Sequence, residues 1–89
     1  MTRITRLNLD VLKPHHPDLL ELGRQLASQG KLRVKLVVKE MDERTETLQI
    51  EVTGPDIDFD RLKIAISEFG ASLHSIDEVE VEHTPETPD

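Results

Sequence analysis

Two short segments of opposite charge alternate apolar and charged residues, and this pattern constrains the fold more than any other feature of the chain. The segment Lys31–Lys39 alternates apolar and basic residues, except at Val37, and carries four positive charges. The segment Asp77–Glu82 alternates apolar and acidic residues and carries four negative charges. A period of two is typical of β-strands that are buried on one face only. We therefore predict a strand in each segment.

The remaining segments complete an alternation of strands and helices. A strand is predicted over 4–12 and another around Leu48–Val52, while apolar residues at helical spacing predict helices over 17–29 and 58–69. The last strand is predicted over 71–82. This order predicts an α+β fold, the ferredoxin-like βαββαβ sandwich, with an antiparallel sheet of order 4-1-3-2 and two helices on one face. We expect one domain over 1–82 and a flexible acidic tail over 83–89.

In this sheet order the second and fourth strands are the edges, so the basic and acidic segments lie at opposite edges of one molecule. The basic edge of one copy complements the acidic edge of the next, and a contact between unlike edges closes into a ring if the rotation allows. An alternative interpretation is that edge charges only block aggregation. The candidate interface residues are Arg33, Lys35, Lys39, Glu78, Glu80 and Glu82.

Composition disfavours several classes of function. The net charge is -7 and the only aromatic residues are Phe59 and Phe69, which argues against nucleic acid as a partner. The absence of cysteine excludes disulfides, thiolate catalysis and zinc–thiolate sites. There is no apolar run of the roughly 18 residues that span a membrane, and no signal peptide opens the chain, so we expect a cytoplasmic protein without a membrane partner. No catalytic motif is present.

The first candidate metal ligands lie on the first and last strands, which are neighbours in the predicted sheet. A register that places His74 opposite Asp10 or Val11 would bring His74, Asp10 and Glu78 onto the face of the sheet away from the helices. A histidine with carboxylates can hold a divalent metal. The alternative is a cross-strand ladder of hydrogen bonds and ion pairs, with Arg6 close to Glu78.

The other candidates lie in loops. Asp56, Asp58 and Asp60 supply closely spaced oxygens for a hard cation such as calcium, although the EF-hand glycine and bidentate glutamate are missing. The alternative is that Asp58 or Asp60 caps the following helix. Glu80 or Glu82 of a neighbouring copy would complete such a site. The adjacent residues His15 and His16 are candidates for binding one metal ion, and the alternative is that they are ordinary exposed histidines. Lys13 is a candidate for binding an anion, and the alternative is a solvated charge.

Three segments resemble signatures of one known family. These are Leu9–His15, Gly54–Asp60 and Gly70–Val79, in that order along the chain. They are similar to the domain of unknown function 211 family of small, mainly archaeal proteins, over about residues 3–82. The resemblance implies a ferredoxin-like fold, ring-shaped homo-oligomers and an association with divalent cations, calcium in particular. It implies no activity or substrate.

Together these features predict a non-enzymatic binding or assembly protein that forms a homo-oligomeric ring and binds divalent cations. The alternative is a regulatory module like the ACT domains, which share this topology and bind small molecules between subunits. A glycine-rich first loop would favour that alternative, and the segment Lys13–His16 contains no glycine. A third hypothesis is a metal-dependent hydrolase that uses His74, Asp10 and the loop histidines.

Overall fold

The computed structural model describes residues 1–85 and contains four strands and two helices in the predicted order. The predicted ferredoxin-like βαββαβ topology is confirmed. The elements are β1 (Thr2–Pro14), α1 (Leu19–Ala27), β2 (Arg33–Met41), β3 (Thr45–Thr53), α2 (Phe59–Glu68) and β4 (Ser72–His83).

The four strands form one antiparallel sheet of order β2-β3-β1-β4. Strands β2 and β4 are therefore the two edges, as predicted. Each neighbouring pair is antiparallel, so β2 runs in the same direction as β1, and β4 runs in the opposite direction. The two edge strands are consequently antiparallel to each other across the sheet.

Both helices pack on one face of the sheet, which we call the helix side; it is the face that carries Leu7, Leu9 and Val11 of β1. These three residues share one buried core with Leu22 and Leu26 of α1, together with α2 and alternate residues of β3. The other face, which we call the open side, carries Arg6, Asn8 and Asp10 of β1. The further core residues are Leu48, Ile50, Val52, Ile57, Leu62, Ala65, Ile66 and Ala71.

Local chemistry sets the helix boundaries. The carboxylate of Asp18 accepts a hydrogen bond from the Glu21 N–H at 2.9 Å, and that of Asp58 accepts one from the Arg61 N–H at 3.2 Å. Asp58 is thus the N-cap of α2, one of the two residues predicted for that role. At the far end of α2, Gly70 has a φ of 74°, which glycine adopts without steric cost.

The alternation of side chains along the edge strands is interrupted by bulges. Between β1 and β4, the pairing moves from Asn8↔Glu78 to Leu9↔Ile76, which leaves Asp77 as an extra residue. A further shift leaves His74 extra, and a shift between β2 and β3 leaves Lys39 extra. A bulge resets which residues face each side of a sheet. Consequently Ile76 faces the helix side even though Glu78 faces the open side.

The helices are too short to cover the whole sheet. At 9 and 10 residues they extend about 13–15 Å, whereas β1 and β4 have 13 and 12 residues and extend about 40 Å. Val79 and Val81 face the helix side, as predicted. Because the helices do not cover this part of the sheet, the two side chains remain 47% and 58% exposed. The sequence pattern identifies their face correctly and overestimates their burial.

The end of the chain was predicted to be a flexible tail from residue 83 onward. His83 pairs with Thr2 at the end of β4, and the Thr84 N–H donates to the Met1 carbonyl at 3.0 Å. The rest of the predicted tail, residues 86–89, lies outside the described residues. Within residues 1–85, no helix has the length and apolar character needed to cross a membrane.

Candidate functional site: the two sheet edges

The basic edge strand β2 presents its positive charges without ion-pair partners among residues 1–85. Arg33, Lys35 and Lys39 are exposed, and none of them makes an ion pair with another residue of 1–85. Arg33 and Lys35 face the open side, opposite Thr53 and Glu51 of β3. Glu40 offsets one of these charges, and the edge keeps a net positive charge that is available to an external partner.

The acidic edge strand β4 is only partly neutralised within the chain. Glu78 accepts a hydrogen bond from Arg6 at 2.8 Å, and Glu82 lies 3.4 Å from Arg3. Glu80 is exposed and makes no ion pair within the described part of the chain. The edge therefore keeps net negative charge, and Glu80 lies at its centre.

Arg6 links the acidic edge to the middle of the sheet. Its guanidinium binds Glu78 of β4 at 2.8 Å and Glu51 of β3 at 2.9 Å, one on each side of β1. The hydrogen bonds to Glu78 and then Glu51 raise the pKa of Arg6 above its ordinary value. Glu78 is thus held in the cross-strand ion-pair ladder that was the alternative to a metal site.

Each edge also carries an apolar row on its helix side. On β2 this row includes Val38 and Met41, which are 38% and 62% exposed. On β4 it includes Ile76, Val79 and Val81, which are all exposed. A groove runs beside each row. The groove between α1 and β2 is lined by Leu19, Leu20, Gly23, Arg24, Ala27, Val34 and Leu36, and the groove between α2 and β4 by Phe59, Lys63, Ile66, Ser67, Ala71, Ser72, Leu73 and Ile76.

The predicted pairing of His74 differs from the structure. Asp10 pairs with Ser75 and Val11 pairs with Leu73, so His74 is the extra residue of a bulge and lies opposite neither. Asp10 faces the open side, and neither residue makes a side-chain hydrogen bond with any residue of 1–85. Within residues 1–85, no three His, Asp or Glu side chains lie close enough together to hold a metal ion.

The three aspartates Asp56, Asp58 and Asp60 lie at the start of α2, and two of them stabilise this helix. Asp58 caps the helix, and Asp60 lies in its first turn, where negative charge is favourable. Asp56 and Asp58 also line a surface depression beside Gly30 and Leu32, just before the basic edge strand begins. The structure thus brings two of the three aspartates close to the β2 edge.

The feature that the sequence analysis missed is a buried ion pair. Lys13 is fully buried and its Nζ lies 3.0 Å from Oε1 of Glu46, which is 7% exposed. Lys13 continues the helix-side row of Leu9 and Val11, and Glu46 continues the corresponding row of β3. The alternation of period two therefore places both residues on the buried side of the sheet. Their charge, in contrast, is typical of side chains exposed to solvent. Lys13 is not an available anion-binding group.

The loop histidines have different surroundings. The Nε2 of His15 lies 2.8 Å from the Asp42 carbonyl, and the His15 N–H donates to the Arg44 carbonyl at 3.3 Å. His15 thus ties the β1–α1 loop to the β2–β3 hairpin. His16 is exposed, and its side chain makes no hydrogen bond with residues 1–85. Within residues 1–85, neither histidine belongs to a group of three or more side chains that could hold a metal ion.

Comparison with known proteins identifies similar chains. The sequence profile of the DUF211 family (domain of unknown function 211), described as uncharacterised ArCR, matches residues 5–84. An uncharacterised protein of Methanocaldococcus jannaschii, MJ0319, is 38% identical over 80 residues, which are 89% of this chain and 82% of that protein. The profile match spans all six elements from within β1 to just past β4.

Proposed function

This chain belongs to the DUF211 family, and we propose that it is a non-enzymatic protein that assembles with copies of itself into a homo-oligomeric ring through its two unlike sheet edges. The observation that carries the proposal is the opposite charge of the two edges. Arg33, Lys35 and Lys39 are exposed on β2, whereas Glu78, Glu80 and Glu82 are exposed on β4. Charge that served only to block aggregation would not need opposite signs at the two edges.

The topology supports this mode of assembly. Because β2 and β4 run in opposite directions, two copies in the same orientation place β4 of one antiparallel to β2 of the other. Such pairing extends the sheet with the same geometry that it has within each chain. The contact joins the β2 edge of one copy to the β4 edge of the next, so it can be repeated from copy to copy. If each copy is rotated by a fixed angle relative to the last, the series closes into a ring.

The uncovered apolar rows support the same mode. An isolated chain leaves Val79, Val81 and Met41 more than two-fifths exposed, although they face the side on which the helices pack. A neighbouring strand at each edge would remove part of this apolar surface from water, which favours association by about 25 cal/mol per Å² before entropic costs. Oligomerisation also suits a small domain with a limited core.

A divalent cation, calcium in particular, is the second element of the proposal. Within residues 1–85 one copy brings no three candidate ligands together, so a site would need two copies. Asp56 and Asp58 lie beside the start of β2, where an antiparallel neighbour brings the end of its own β4 with Glu82.

Native mass spectrometry with calcium and after chelation tests this cation site. Retained calcium that is lost in Asp56→Asn/Asp58→Asn supports it, and an oligomer that retains no calcium contradicts it. Asparagine preserves the helix cap.

Light scattering with edge variants tests the assembly. At micromolar concentration the wild-type chain is expected to be a homo-oligomer, and Lys35→Glu is expected to shift it toward the monomer because a carboxylate in the middle of β2 then faces the carboxylates of β4. Arg44→Glu in the β2–β3 hairpin changes the net charge by the same amount and is the matched control, because Arg44 is exposed and its side chain makes no ion pair within residues 1–85. A monomeric wild-type chain, or equal effects of both variants, would contradict the proposal.

An ACT-like regulatory role is the alternative proposal, and the groove between α2 and β4 favours it. Its lining combines apolar groups such as Phe59 and Leu73 with the polar groups Lys63, Ser67 and Ser72, as a small-molecule site does. Thermal unfolding with a set of free amino acids at millimolar concentration tests this alternative. A rise in Tm for one compound, absent in Leu73→Ala, would support it, and no shift with any of them would count against it.

A further inference from the structure

We propose that the two edges pair in one specific antiparallel register, in which Lys35 of one copy lies opposite Glu80 of the next. This inference rests on the proposed assembly and adds which residues meet. It is argued from the faces of both strands, their bulges and the charges already neutralised within each chain.

The open side of this register pairs opposite charges. With Lys35 opposite Glu80, Arg33 lies opposite Glu82 on the same face. Glu80 is the acidic-edge residue that makes no ion pair within residues 1–85, so it is free to accept Lys35. Directly opposed unlike charges stabilise a strand pair, whereas like charges destabilise it.

The helix side of the same register pairs apolar residues along the whole contact. Val34 meets Val81, and Leu36 meets Val79. Beyond the bulges the helix-side rows continue with Val38 opposite Ile76 and Met41 opposite Leu73. All five exposed apolar residues of the two edges gain an apolar neighbour, namely Val38, Met41, Ile76, Val79 and Val81.

One bulge of each strand lies at a similar level in this register. Lys39 is the extra residue of β2, and Asp77 of β4 lies on the other side of the same Val38/Ile76 pair. Because each strand carries one extra residue here, the pairing resumes with Glu40 opposite Ser75. The second extra residue of β4, His74, has no counterpart on β2, and beyond it Met41 lies opposite Leu73. Lys39 and Asp77 also have opposite charges.

Registers shifted by two residues fit less well. Lys35 opposite Glu82 would place Glu40 against Glu78, a pair of like charges. Lys35 opposite Glu78 would compete with the 2.8 Å bond from Arg6 and leave Met41 beyond the start of β4. The proposed register also uses nearly the full length of both strands.

Disulfide trapping distinguishes these registers, because the chain has no cysteine of its own. Within one copy, residues 35 and 80 lie on opposite edges, at least about 14 Å apart across three strand spacings. This exceeds the roughly 7 Å limit between Cα atoms of a disulfide, so a bond can form only between copies. Directly opposed residues satisfy that limit, whereas diagonal neighbours at about 7–8 Å do not.

Three double variants are compared under mild oxidation on a non-reducing gel. Lys35→Cys/Glu80→Cys is expected to lose its monomer band and form a covalent ladder that ends at the ring size. Lys35→Cys/Glu78→Cys and Lys35→Cys/Glu82→Cys are expected to remain monomeric on the gel. A ladder from either of these instead would overturn the register and leave the proposed assembly standing.

Two further variants and light scattering distinguish a wrong register from a wrong mode of assembly. Lys35→Cys alone is expected to form no disulfide, and a covalent dimer from it would indicate a symmetric β2–β2 contact and overturn the register. Val34→Cys/Val81→Cys tests the same register with every charge retained, in case the loss of Lys35 and Glu80 prevents assembly. If no variant forms a ladder while light scattering shows an oligomer, another surface mediates assembly and the register is wrong. A monomeric wild-type chain would overturn both proposals.

Discussion

The Nζ of Lys13 lies 3.0 Å from Oε1 of Glu46, and this ion pair joins β1 to β3 inside the helix-side core. The two residues are direct partners in the β1–β3 register. Lys13 also donates to the carbonyls of Pro14 at 2.8 Å and His15 at 3.3 Å. The three hydrogen-bond donors of the ammonium group thus all have acceptors. The pair therefore fixes the start of the β1–α1 loop against the sheet.

Loss of one partner of this pair is expected to be strongly destabilising. Glu46→Gln removes the carboxylate and leaves the buried charge of Lys13 without its counter-ion, which typically costs about 3–5 kcal/mol of unfolding free energy. Urea denaturation measures this change. The matched control is Glu21→Gln, which breaks the exposed pair with Arg24 at 3.2 Å and should cost at most about 1 kcal/mol.

The double variant separates the energy of the pair from the cost of an orphaned charge. Lys13→Met/Glu46→Met replaces both charges by apolar groups, and we expect it to be more stable than Glu46→Gln because no charge remains buried. A Glu46→Gln variant with a wild-type urea midpoint would contradict the role assigned to this pair.

Acid is expected to weaken the hairpin that holds the β1–α1 loop. The Thr45 N–H, followed by the Arg44 N–H and the Thr45 hydroxyl, donates to the Asp42 carboxylate, and these bonds lower its pKa below the ordinary 3.8. A carboxylate with a depressed folded-state pKa contributes stability above its unfolded pKa, and this contribution is lost as the pH falls through the folded pKa. The affected window therefore lies below about pH 4.

The measurement is the unfolding free energy of the wild type and Asp42→Asn as a function of pH. The advantage of the wild type should be constant near neutral pH and should shrink as the pH falls below 3.8. Glu43→Gln, in the same hairpin, is the control, because Glu43 accepts no side-chain hydrogen bond from residues 1–85. A difference between wild type and Asp42→Asn that does not vary with pH would contradict the prediction.

A side chain at Gly54 is expected to disturb the packing at the start of β2. A Cβ at this position would lie 2.7 Å from the Lys31 carbonyl oxygen and 2.9 Å from a Leu32 methyl carbon. We expect Gly54→Ala to cost about 1–3 kcal/mol through overpacking. Gly30→Ala is the control, since its nearest contact is 3.9 Å away. Thermal unfolding of both variants measures the effect, and equal Tm values would contradict it.

The sequence pattern predicted the element order, the sheet topology and the two edge strands correctly. These follow from alternation of period two, helical periodicity and the stop signals at Gly30, Gly54 and Gly70. Such signals are local in the sequence, and the right-handed crossover rule leaves few ways to connect six elements in this order. The same local signals identified Asp58 as a candidate helix cap.

Other features depend on neighbours that a single sequence does not specify. The bulges at His74 and Asp77 form where β4 meets β1, and they shift the pairing on which the proposed contact between His74 and Asp10 depended. The burial of Lys13 and Glu46 likewise depends on their being cross-strand partners. The exposure of Val79 depends on where α2 begins above the sheet. Each of these is set by tertiary structure rather than by local propensity.

Reciprocal charge reversal, followed by native mass spectrometry, tests the assembly of unlike edges most directly. Lys35→Glu places a carboxylate opposite Glu80 of the next copy, and Glu80→Lys places an ammonium group opposite Lys35, so each variant alone should be largely monomeric. A mixture in which one variant is labelled with 15N should form oligomers in which the two chains alternate, because a contact between unlike variants places a carboxylate opposite an ammonium group, whereas a contact between two copies of Lys35→Glu, or of Glu80→Lys, opposes like charges. A mixture that stays monomeric while the wild-type chain assembles, or variants that assemble alone, would contradict the account.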